Sequence, residues 1–372
     1  MNISKVRKDI PITQNYVYLN HGTGMVILQP VINAMEKFNH EQATFAGTKI
    51  NEWMKLVEES KENIAKFIGA KKDEIAYTSN TNEGINIIAN GIDWKIGDNI
   101  ILNTLEFPAN TLPYIKQKEK GVKIKWVPET NGKILFEDII KVIDKKTRLI
   151  ALSHVSAENG FKHNLKDIKR ICDDNKIYLA VDAIQSLGAI KVDTKYMDFM
   201  SSGCMKWLLA PFGIGIFYCN GGLIEKLNPV YIRWLSVESP FKLKLDAYRL
   251  EKTAKRFESS GPNLSEVFGL SAAVDYLSKI GITNIEKRIY FLTDHLIAGL
   301  QELDFNIWTP LEREYRSGII TIKTDKADQI KQYLLKNKVI VSSRLDRLRI
   351  SPHFYNTKEE IDLLLNHLKR FK

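Results

Sequence analysis

Short apolar runs recur along the chain, and polar residues directly follow most of them. Runs of this length are typical of strands that are buried on both faces of a parallel sheet. Between the runs, apolar residues recur with helical spacing, as at 53–68, where Gly69 ends the predicted helix. This alternation predicts an α/β fold with a mostly parallel sheet that is covered on both faces. The predicted strands are 74–77, 99–102, 149–152, 177–181, 198–200 and 214–218.

The regular alternation of short apolar runs with helical spacing ends after Asn220. A loop is predicted at 232–244, and the segments after it mix helices with strands. The predicted helices there are 264–277, 285–303 and 327–335, and the predicted strands are 319–322 and 339–341. The predicted units are an N-terminal arm at 1–15, a large domain at 16–250 and a small α+β C-terminal domain at 251–372.

Composition limits the classes of function. The 372 residues are 44% hydrophobic and 26% charged, which is ordinary for a globular protein. The formal charge of +10 is spread over many predicted helices, which favours a solvated surface that attracts anionic ligands; nucleic-acid binding is the weaker alternative. Three cysteines make neither a disulfide framework nor a zinc pattern, so no metal site is predicted. Because signal-peptide and membrane-length apolar runs are both absent, we expect a cytoplasmic protein without membrane contact.

An acid and a lysine each follow a predicted strand. Asp182 comes directly after the run at 177–181, and Lys206 comes shortly after the run at 198–200. Open α/β sheets place their ligands at this end of the strands. A pyridoxal phosphate site needs a Schiff-base amine and an acid that faces the pyridinium nitrogen. Taken singly, such an aspartate is more often a helix cap and such a lysine a surface group, so the surrounding motifs must decide.

Three motifs around these residues follow one another in a specific order. They are D-A-x-Q-S-x-G at 182–188, S-G-x-x-K-W-L at 202–208 and P-x-G-x-G at 211–215. The set resembles the class V aminotransferase family of fold type I pyridoxal phosphate enzymes, which includes cysteine desulfurases, C–S lyases and isopenicillin N epimerase-like proteins. The resemblance implies a seven-stranded sheet in the large domain and bound pyridoxal 5'-phosphate. It also implies a Schiff base on Lys206, a pyridinium partner in Asp182, a phenolate partner in Gln185, and Ser202 beside the cofactor.

Two segments nearer the N-terminus extend the resemblance. Y-L-N-H-G-T-G at 18–24 is similar to the family's N-terminal active-site segment, which implies that Asn20 and His21 lie on the substrate side. An ordinary turn histidine is the alternative for His21. T-S-N-T-N-E-G-I-N at 78–86 is similar to the phosphate-binding turn and implies that Thr81 and Asn82 bind the phosphate. A helix N-terminus suits an anion, although these residue types are also ordinary helix caps.

Further positions follow from the same resemblance. Phe107 falls where the family stacks a side chain on the cofactor ring, a position that is typically histidine in desulfurase-like members. Ser156 lies in an H-V-S segment that lines the ring, where many members carry Asn or Gln to bond the phenolate oxygen. The segment R-I-S-P-H-x-Y-N-T at 349–357 places Arg349 on the arginine that binds the substrate carboxylate, with Arg344 as a helper. Ordinary surface arginines are the alternative.

The segment R-F-E-S-S-G-P-N at 256–263 differs from the family pattern. Family members carry R-F-E-x-G-T-P-N, and the threonine reaches the phosphate of the neighbouring subunit. Gly261 occupies the threonine position here, so Ser260 either takes over the contact or the contact is lost. The shared site implies a homodimer with active sites at the subunit interface.

The type of reaction depends on a missing cysteine. Similar desulfurases carry a mobile cysteine on a loop between the two C-terminal arginines, where it attacks the substrate sulfur. Here only residues 345–348 separate Arg344 from Arg349, and none is cysteine. Phe107 can stack but cannot move protons. The favoured function is therefore a cysteine desulfurase-like C–S lyase for an amino-acid substrate; the alternatives are an epimerase, an aminotransferase and, remotely, a non-enzymatic nucleic-acid-binding module.

Overall fold

The computed structural model describes residues 2–242, 247–258, 261 and 263–372. The helices are α1 (Ile3–Lys8), α2 (Gln29–Phe45), α3 (Ile50–Ile68), α4 (Thr81–Gly91), α5 (Leu112–Ile115), α6 (Phe136–Val142), α7 (Leu165–Asp174), α8 (Leu264–Ile280), α9 (Ile282–Glu302), α10 (Ala327–Lys336) and α11 (Lys358–Leu368). The strands are β1 (Val17–Tyr18), β2 (Ile75–Thr78), β3 (Asn99–Asn103), β4 (Lys123–Val127), β5 (Thr147–Ser153), β6 (Tyr178–Asp182), β7 (Phe199–Gly203), β8 (Gly215–Cys219), β9 (Asn306–Ile307), β10 (Ile320–Lys323), β11 (Val339–Ile340), β12 (Ser342–Arg344) and β13 (Arg347–Ile350). Over this part of the chain, no helix combines the length and apolar character needed to cross a membrane.

A seven-stranded sheet in the order β2-β8-β7-β6-β5-β3-β4 forms the centre of the fold. Only β8 runs antiparallel to its neighbours, and every other pair is parallel. Apolar residues of α4 pack on one face of the sheet, and apolar residues of α3 and α7 pack on the other. Because both faces are covered, the strands need continuous apolar runs rather than alternation. The predicted α/β fold with a mostly parallel seven-stranded sheet is confirmed.

The strand register brings the predicted chemistry to one edge of this sheet. Asp182 at the end of β6 pairs with Ser153 of β5 on one side and with Ser201 of β7 on the other. The turn that carries Lys206 follows β7 directly. Asp182 and Lys206 therefore emerge from neighbouring strands at the carboxyl edge, where ligands of open α/β sheets bind.

A second, antiparallel sheet in the order β12-β13-β10-β9 lies in the C-terminal part of the chain. Its apolar residues pack with those of α9, α10 and α11. The N-terminal strand β1 pairs in parallel with β11, and Asn20 bridges to Ser351. This pairing places the glycine-rich segment 18–24 beside the C-terminal arginines. The domain boundaries at 16 and 251 stay a prediction.

Candidate active site

Asp182 and Lys206 perturb one another at the carboxyl edge of the sheet. Burial and, to a smaller extent, the nearby Glu106 carboxylate raise the pKa of Asp182 to about 7, against the Ile184 N–H and the positive charge of Lys206. Burial and the charge of Arg349 lower the pKa of Lys206 to about 8, against the charge of Asp182. Each group is thus within electrostatic range of the other, and the pKa of each is shifted in the direction that favours its neutral form.

The peptide around Lys206 is held by contacts from distant parts of the chain. Met25 N donates to the Met205 carbonyl at 2.8 Å, and His353 Nε2 lies 2.9 Å from the Trp207 carbonyl oxygen. Gly24 has a φ of +92°, and a Cβ there would lie only 2.7 Å from Lys206 Cγ. The N-terminal segment can approach the lysine this closely because Gly24 has no side chain.

Gln185 links the lysine turn to the N-terminal segment. Trp207 Nε1 donates to Gln185 Oε1 at 2.9 Å, and Gln185 Nε2 donates to the Gly22 carbonyl at 2.9 Å. One amide hydrogen is left over, because the amide nitrogen carries two. A bond from Gln185 to a phenolate oxygen would have to use that second hydrogen, and this role stays a prediction.

His21 packs beside Trp207 of the lysine turn. Its side chain is fully buried, its Nε2 is 2.6 Å from the Tyr355 hydroxyl, and burial lowers its pKa well below the usual value, so it is neutral. Four rings surround it, from Tyr18, Trp207, His353 and Tyr355. This environment favours a role in the floor of the site over the expected substrate contact. Asn20 is also buried, and its Oδ1 accepts a hydrogen bond from Thr23 Oγ1 at 2.9 Å.

The predicted phosphate turn begins α4. Asn80 caps this helix, with its Oδ1 accepting from Glu83 N at 3.0 Å. Thr81 Oγ1 accepts from Gly203 N at 2.8 Å, which docks the helix on β7. Asn82 is exposed, whereas the buried Ser202 donates to the Gly203 carbonyl at 2.9 Å. The helix N-terminus therefore stands next to the lysine turn, although the Thr81 and Ser202 hydroxyls already have protein partners.

Phe107 projects from the loop after β3, with 44% of its surface exposed. The guanidinium of Arg344 lies 5.5 Å from its ring centroid. Ser156, on the neighbouring loop after β5, donates to the Leu105 carbonyl at 3.1 Å and is buried. A contact from Ser156 to the cofactor would compete with that bond.

The three C-terminal arginines have different environments. Arg344 and Arg347 both form ion pairs with Glu158. Arg349 is held at Nε by Ser342 Oγ (3.1 Å), at Nη1 by the Ala157 carbonyl (2.8 Å) and at Nη2 by Thr23 Oγ1 (2.9 Å). Burial lowers its pKa to about 10. A Cβ on Gly22 would lie 2.8 Å from Arg349 Cζ, so this glycine makes room for the guanidinium.

Two carboxylates in the site did not emerge from the sequence interpretation. Glu106 accepts four hydrogen bonds next to Phe107, and Glu158 pairs with two arginines. Their signal in the sequence is only adjacency to Phe107 and to the H-V-S segment. The predicted Ser260 lies outside the described residues.

The donor set fits pyridoxal phosphate. A buried acid and a lysine of lowered pKa lie after neighbouring strands, a helix N-terminus lies beside the lysine turn, and an aromatic ring is exposed on the loop after β3. These groups suit a ring nitrogen, an aldehyde, a phosphate and a ring face, respectively. Over the described residues, no cluster of side chains suited to a metal ion is present.

Comparison with known proteins agrees with this arrangement. The chain matches the family described as Aminotransferase class-V over residues 17–364. It is 30% identical to a probable cysteine desulfurase of Pyrococcus abyssi, over 98% of this chain and 96% of that one. The apo structure of a cysteine desulfurase from Thermococcus onnurineus NA1 is 27% identical, with a TM-score of 0.91 over 99% of this chain and 97% of that one. A C-DES variant with glycine linked to its pyridoxal phosphate shares the fold, with a TM-score of 0.89 at 22% identity, over 98% of each chain. The chain therefore belongs to the class V aminotransferase family and is a pyridoxal phosphate-dependent enzyme.

Proposed function

We propose that the protein is a C–S lyase that acts on a cysteine-derived α-amino acid without forming a persulfide on a protein cysteine. The observation that carries this proposal is the state of its thiols. Cys172, Cys204 and Cys219 are all free and buried, and burial raises the pKa of each thiol above its usual value. A thiol that stays protonated and inaccessible is a poor nucleophile for a substrate sulfur.

Substrate binding is assigned to Arg349. A guanidinium has five N–H groups, and three of those on Arg349 have partners in the described residues. The remaining donors can bind an α-carboxylate, while the three existing bonds fix the plane of the guanidinium. Arg344, which is half exposed above Phe107, is the predicted helper at the mouth of the site.

Proton transfer at the substrate Cα is assigned to Lys206. When bound, pyridoxal phosphate supplies an electron sink for cleavage at Cα and Cβ. With its pKa lowered to about 8, Lys206 has a much larger neutral fraction near pH 7 than an ordinary lysine, and this neutral amine can accept a proton. Asp182, whose pKa is raised by burial to about 7, is the residue that would hold the ring nitrogen and could share a proton with it. Phe107 has no titratable group, so it can contribute only ring contact.

The cofactor contacts proposed for Thr81, Asn82, Ser156, Gln185, Ser202 and Ser260 complete the predicted site, together with the buried Asn20 and His21, which would support the substrate side from its floor. Alanine variants of each, compared by cofactor dissociation constant and by substrate KM, will separate the two groups. We expect changes in cofactor binding for the first set and changes in KM for the second.

A product assay tests the reaction. The purified protein is incubated separately with cysteine, cystine and a cysteine S-conjugate, and pyruvate and ammonia are measured while intact mass is recorded for sulfur adducts. We expect equal amounts of pyruvate and ammonia and no adduct on the protein. Loss of substrate chirality without pyruvate would favour the epimerase alternative, pyridoxamine phosphate formation would favour the aminotransferase, and a protein persulfide would refute the proposal.

A homodimer is part of the proposed function. Large apolar side chains are exposed along one segment, at Val230, Tyr231, Ile232, Trp234, Phe241 and Tyr248. Tyr231 also lines a cavity of about 800 Å³ together with Asn82 of the phosphate turn. A second copy seated there would cover both the apolar surface and the turn. Light scattering is expected to give twice the chain mass, and Tyr231→Glu is expected to shift the protein towards monomer.

Two further expectations remain open to experiment. A cytoplasmic location is proposed and can be checked by cell fractionation. Nucleic-acid binding is disfavoured, because it does not require an acid and a lysine of shifted pKa at the ends of neighbouring strands. A salt-dependent mobility shift with duplex DNA in a colourless protein would reverse that assignment.

A further inference from the structure

Glu106 has no role in the chemistry above, yet its carboxylate accepts four hydrogen bonds. Oε1 accepts from Asn103 Nδ2 at 2.7 Å and from Ser153 N at 2.8 Å. Oε2 accepts from Asn110 Nδ2 at 2.8 Å and from Ser153 Oγ at 2.5 Å. Charge-assisted bonds of this kind are the strong ones in proteins, so the position of the carboxylate is well defined.

The four donors come from three separate places at the carboxyl edge of the sheet. Asn103 ends β3, Ser153 ends β5, and Asn110 ends the short turn Pro108–Asn110. Glu106 therefore ties the loop at 104–110 to the ends of both strands. Deleting this carboxylate would leave several buried donors without an acceptor.

Phe107 is the next residue in that loop. Its carbonyl accepts a hydrogen bond from Asn110 N at 2.9 Å, its ring is 44% exposed, and the guanidinium of Arg344 lies 5.5 Å from the ring centroid. The direction of the ring is consequently set by the backbone on either side, and the Glu106 carboxylate anchors that backbone. Ser153 also pairs in register with Asp182. Glu106 is therefore tied to the strand end beside Asp182 as well as to the loop of Phe107, and both residues are predicted to contact the cofactor ring.

We propose that Glu106 is a positioning residue, which holds the Phe107 ring against the cofactor by anchoring the 104–110 loop to the ends of β3 and β5. The inference rests on the proposed stacking of Phe107. The negative charge of Glu106, which raises the pKa of Asp182, acts on the same part of the site.

Glu106→Gln tests the anchor, because glutamine keeps the size but offers one acceptor oxygen where two are needed. The full-length apoprotein is titrated with pyridoxal phosphate, the dissociation constant is taken from tryptophan fluorescence, and the visible circular dichroism of the bound cofactor is recorded. We expect the dissociation constant to rise about tenfold or more and the visible ellipticity to fall. The double variant Glu106→Gln/Asn110→Asp restores a carboxylate opposite an amide and is expected to recover most of both signals.

Glu74→Gln is the matched control. Glu74 also anchors a loop, since it accepts from Lys71 N and Gly221 N at 2.8 Å each, but it lies at the opposite edge of the sheet. Its loss is expected to lower thermal stability without changing cofactor affinity or ellipticity. Wild-type cofactor signals in Glu106→Gln, or an equal loss in Glu74→Gln, would overturn the inference.

Phe107→Ala separates this inference from the proposal on which it rests. If Phe107→Ala leaves both cofactor signals unchanged, the stacking itself is wrong. If Phe107→Ala changes them and Glu106→Gln does not, only the anchoring role is wrong. Should Glu106→Gln not fold, Asn110→Ala removes one of the four bonds and is expected to change the signals in the same direction by less; unchanged signals there would also overturn the inference.

Discussion

Replacement of Gly24 by alanine probes the close approach between the N-terminal segment and the lysine turn. Gly24 has a φ of +92°, and an added Cβ would lie 2.6 Å from the Met205 carbonyl oxygen and 2.7 Å from Lys206 Cγ. It would also lie 2.8 Å from Lys206 Cα. The crowded atoms belong to the backbone or to its first side-chain carbons, so the clash is relieved only if the lysine turn itself moves.

The magnitude has two parts. A non-glycine residue in this region of φ costs about 1–3 kcal/mol. Overpacking against atoms that cannot yield costs about 1–3 kcal/mol more. Gly24→Ala should therefore destabilise the protein by about 2–6 kcal/mol and displace Lys206 from the cofactor aldehyde.

Gly97→Ala isolates the first part. Gly97 has a φ of +88°, but nothing lies within 4 Å of the position of its added Cβ. Urea denaturation of both variants gives the stability difference, and borohydride trapping of pyridoxal phosphate followed by mass spectrometry reports the reach of Lys206. We expect Gly97→Ala to lose stability but to trap the cofactor normally, and Gly24→Ala to lose more stability and trap poorly. Equal stability losses with equal trapping would refute the argument.

Three more predictions concern buried charge, thiols and pH. Glu258→Gln should destabilise by about 3–5 kcal/mol in urea, because Lys61 and Arg233 would be left buried without their anion; an effect no larger than that of a substitution in an exposed ion pair would contradict this. Cys204→Ala should retain pyruvate formation from cystine in the coupled assay, and loss of product in a folded variant would contradict the thiol-independent mechanism. In the apoprotein, the rate of cofactor condensation, followed by visible absorbance, should rise with pH through a midpoint near pH 8 and reach its plateau at higher pH. Only the neutral amine attacks, and burial lowers the pKa of Lys206 to about 8; a midpoint near the usual 10.5 would contradict the assigned environment.

The sheet and the positions of Asp182 and Lys206 were accessible from sequence because both depend on local pattern. Strands buried on two faces must be continuous apolar runs, and the first polar residue after such a run marks the carboxyl edge. Strand β4 carried a weaker signal, since its residues are mostly part-exposed at the edge of the sheet. The number of strands came from the family resemblance rather than from the runs themselves, and their order came only from the structure.

Contacts between distant segments could not be predicted in the same way. His21 meets Tyr355 only because β1 pairs with β11, and a motif of seven residues contains no sign of that pairing. The donors to Glu106 are likewise collected from two strand ends and a turn. Which distant groups become the hydrogen-bond partners of a buried side chain depends on strand register and packing. The spacing of residues within a short motif does not determine either of these.

The three C-terminal arginines differ in whether a carboxylate of the protein pairs with their guanidinium. Arg344 and Arg347 face one another across the β12–β13 hairpin, so the single carboxylate of Glu158 serves both. Arg349 is held by two hydroxyls and a carbonyl, and in the described part of the chain no carboxylate lies within ion-pair distance of it. A partly buried cation with only neutral acceptors is costly until an anion binds to it. An α-carboxylate would relieve that cost at Arg349, whereas at Arg344 or Arg347 it would have to displace Glu158, and this difference supports Arg349 as the substrate-binding arginine.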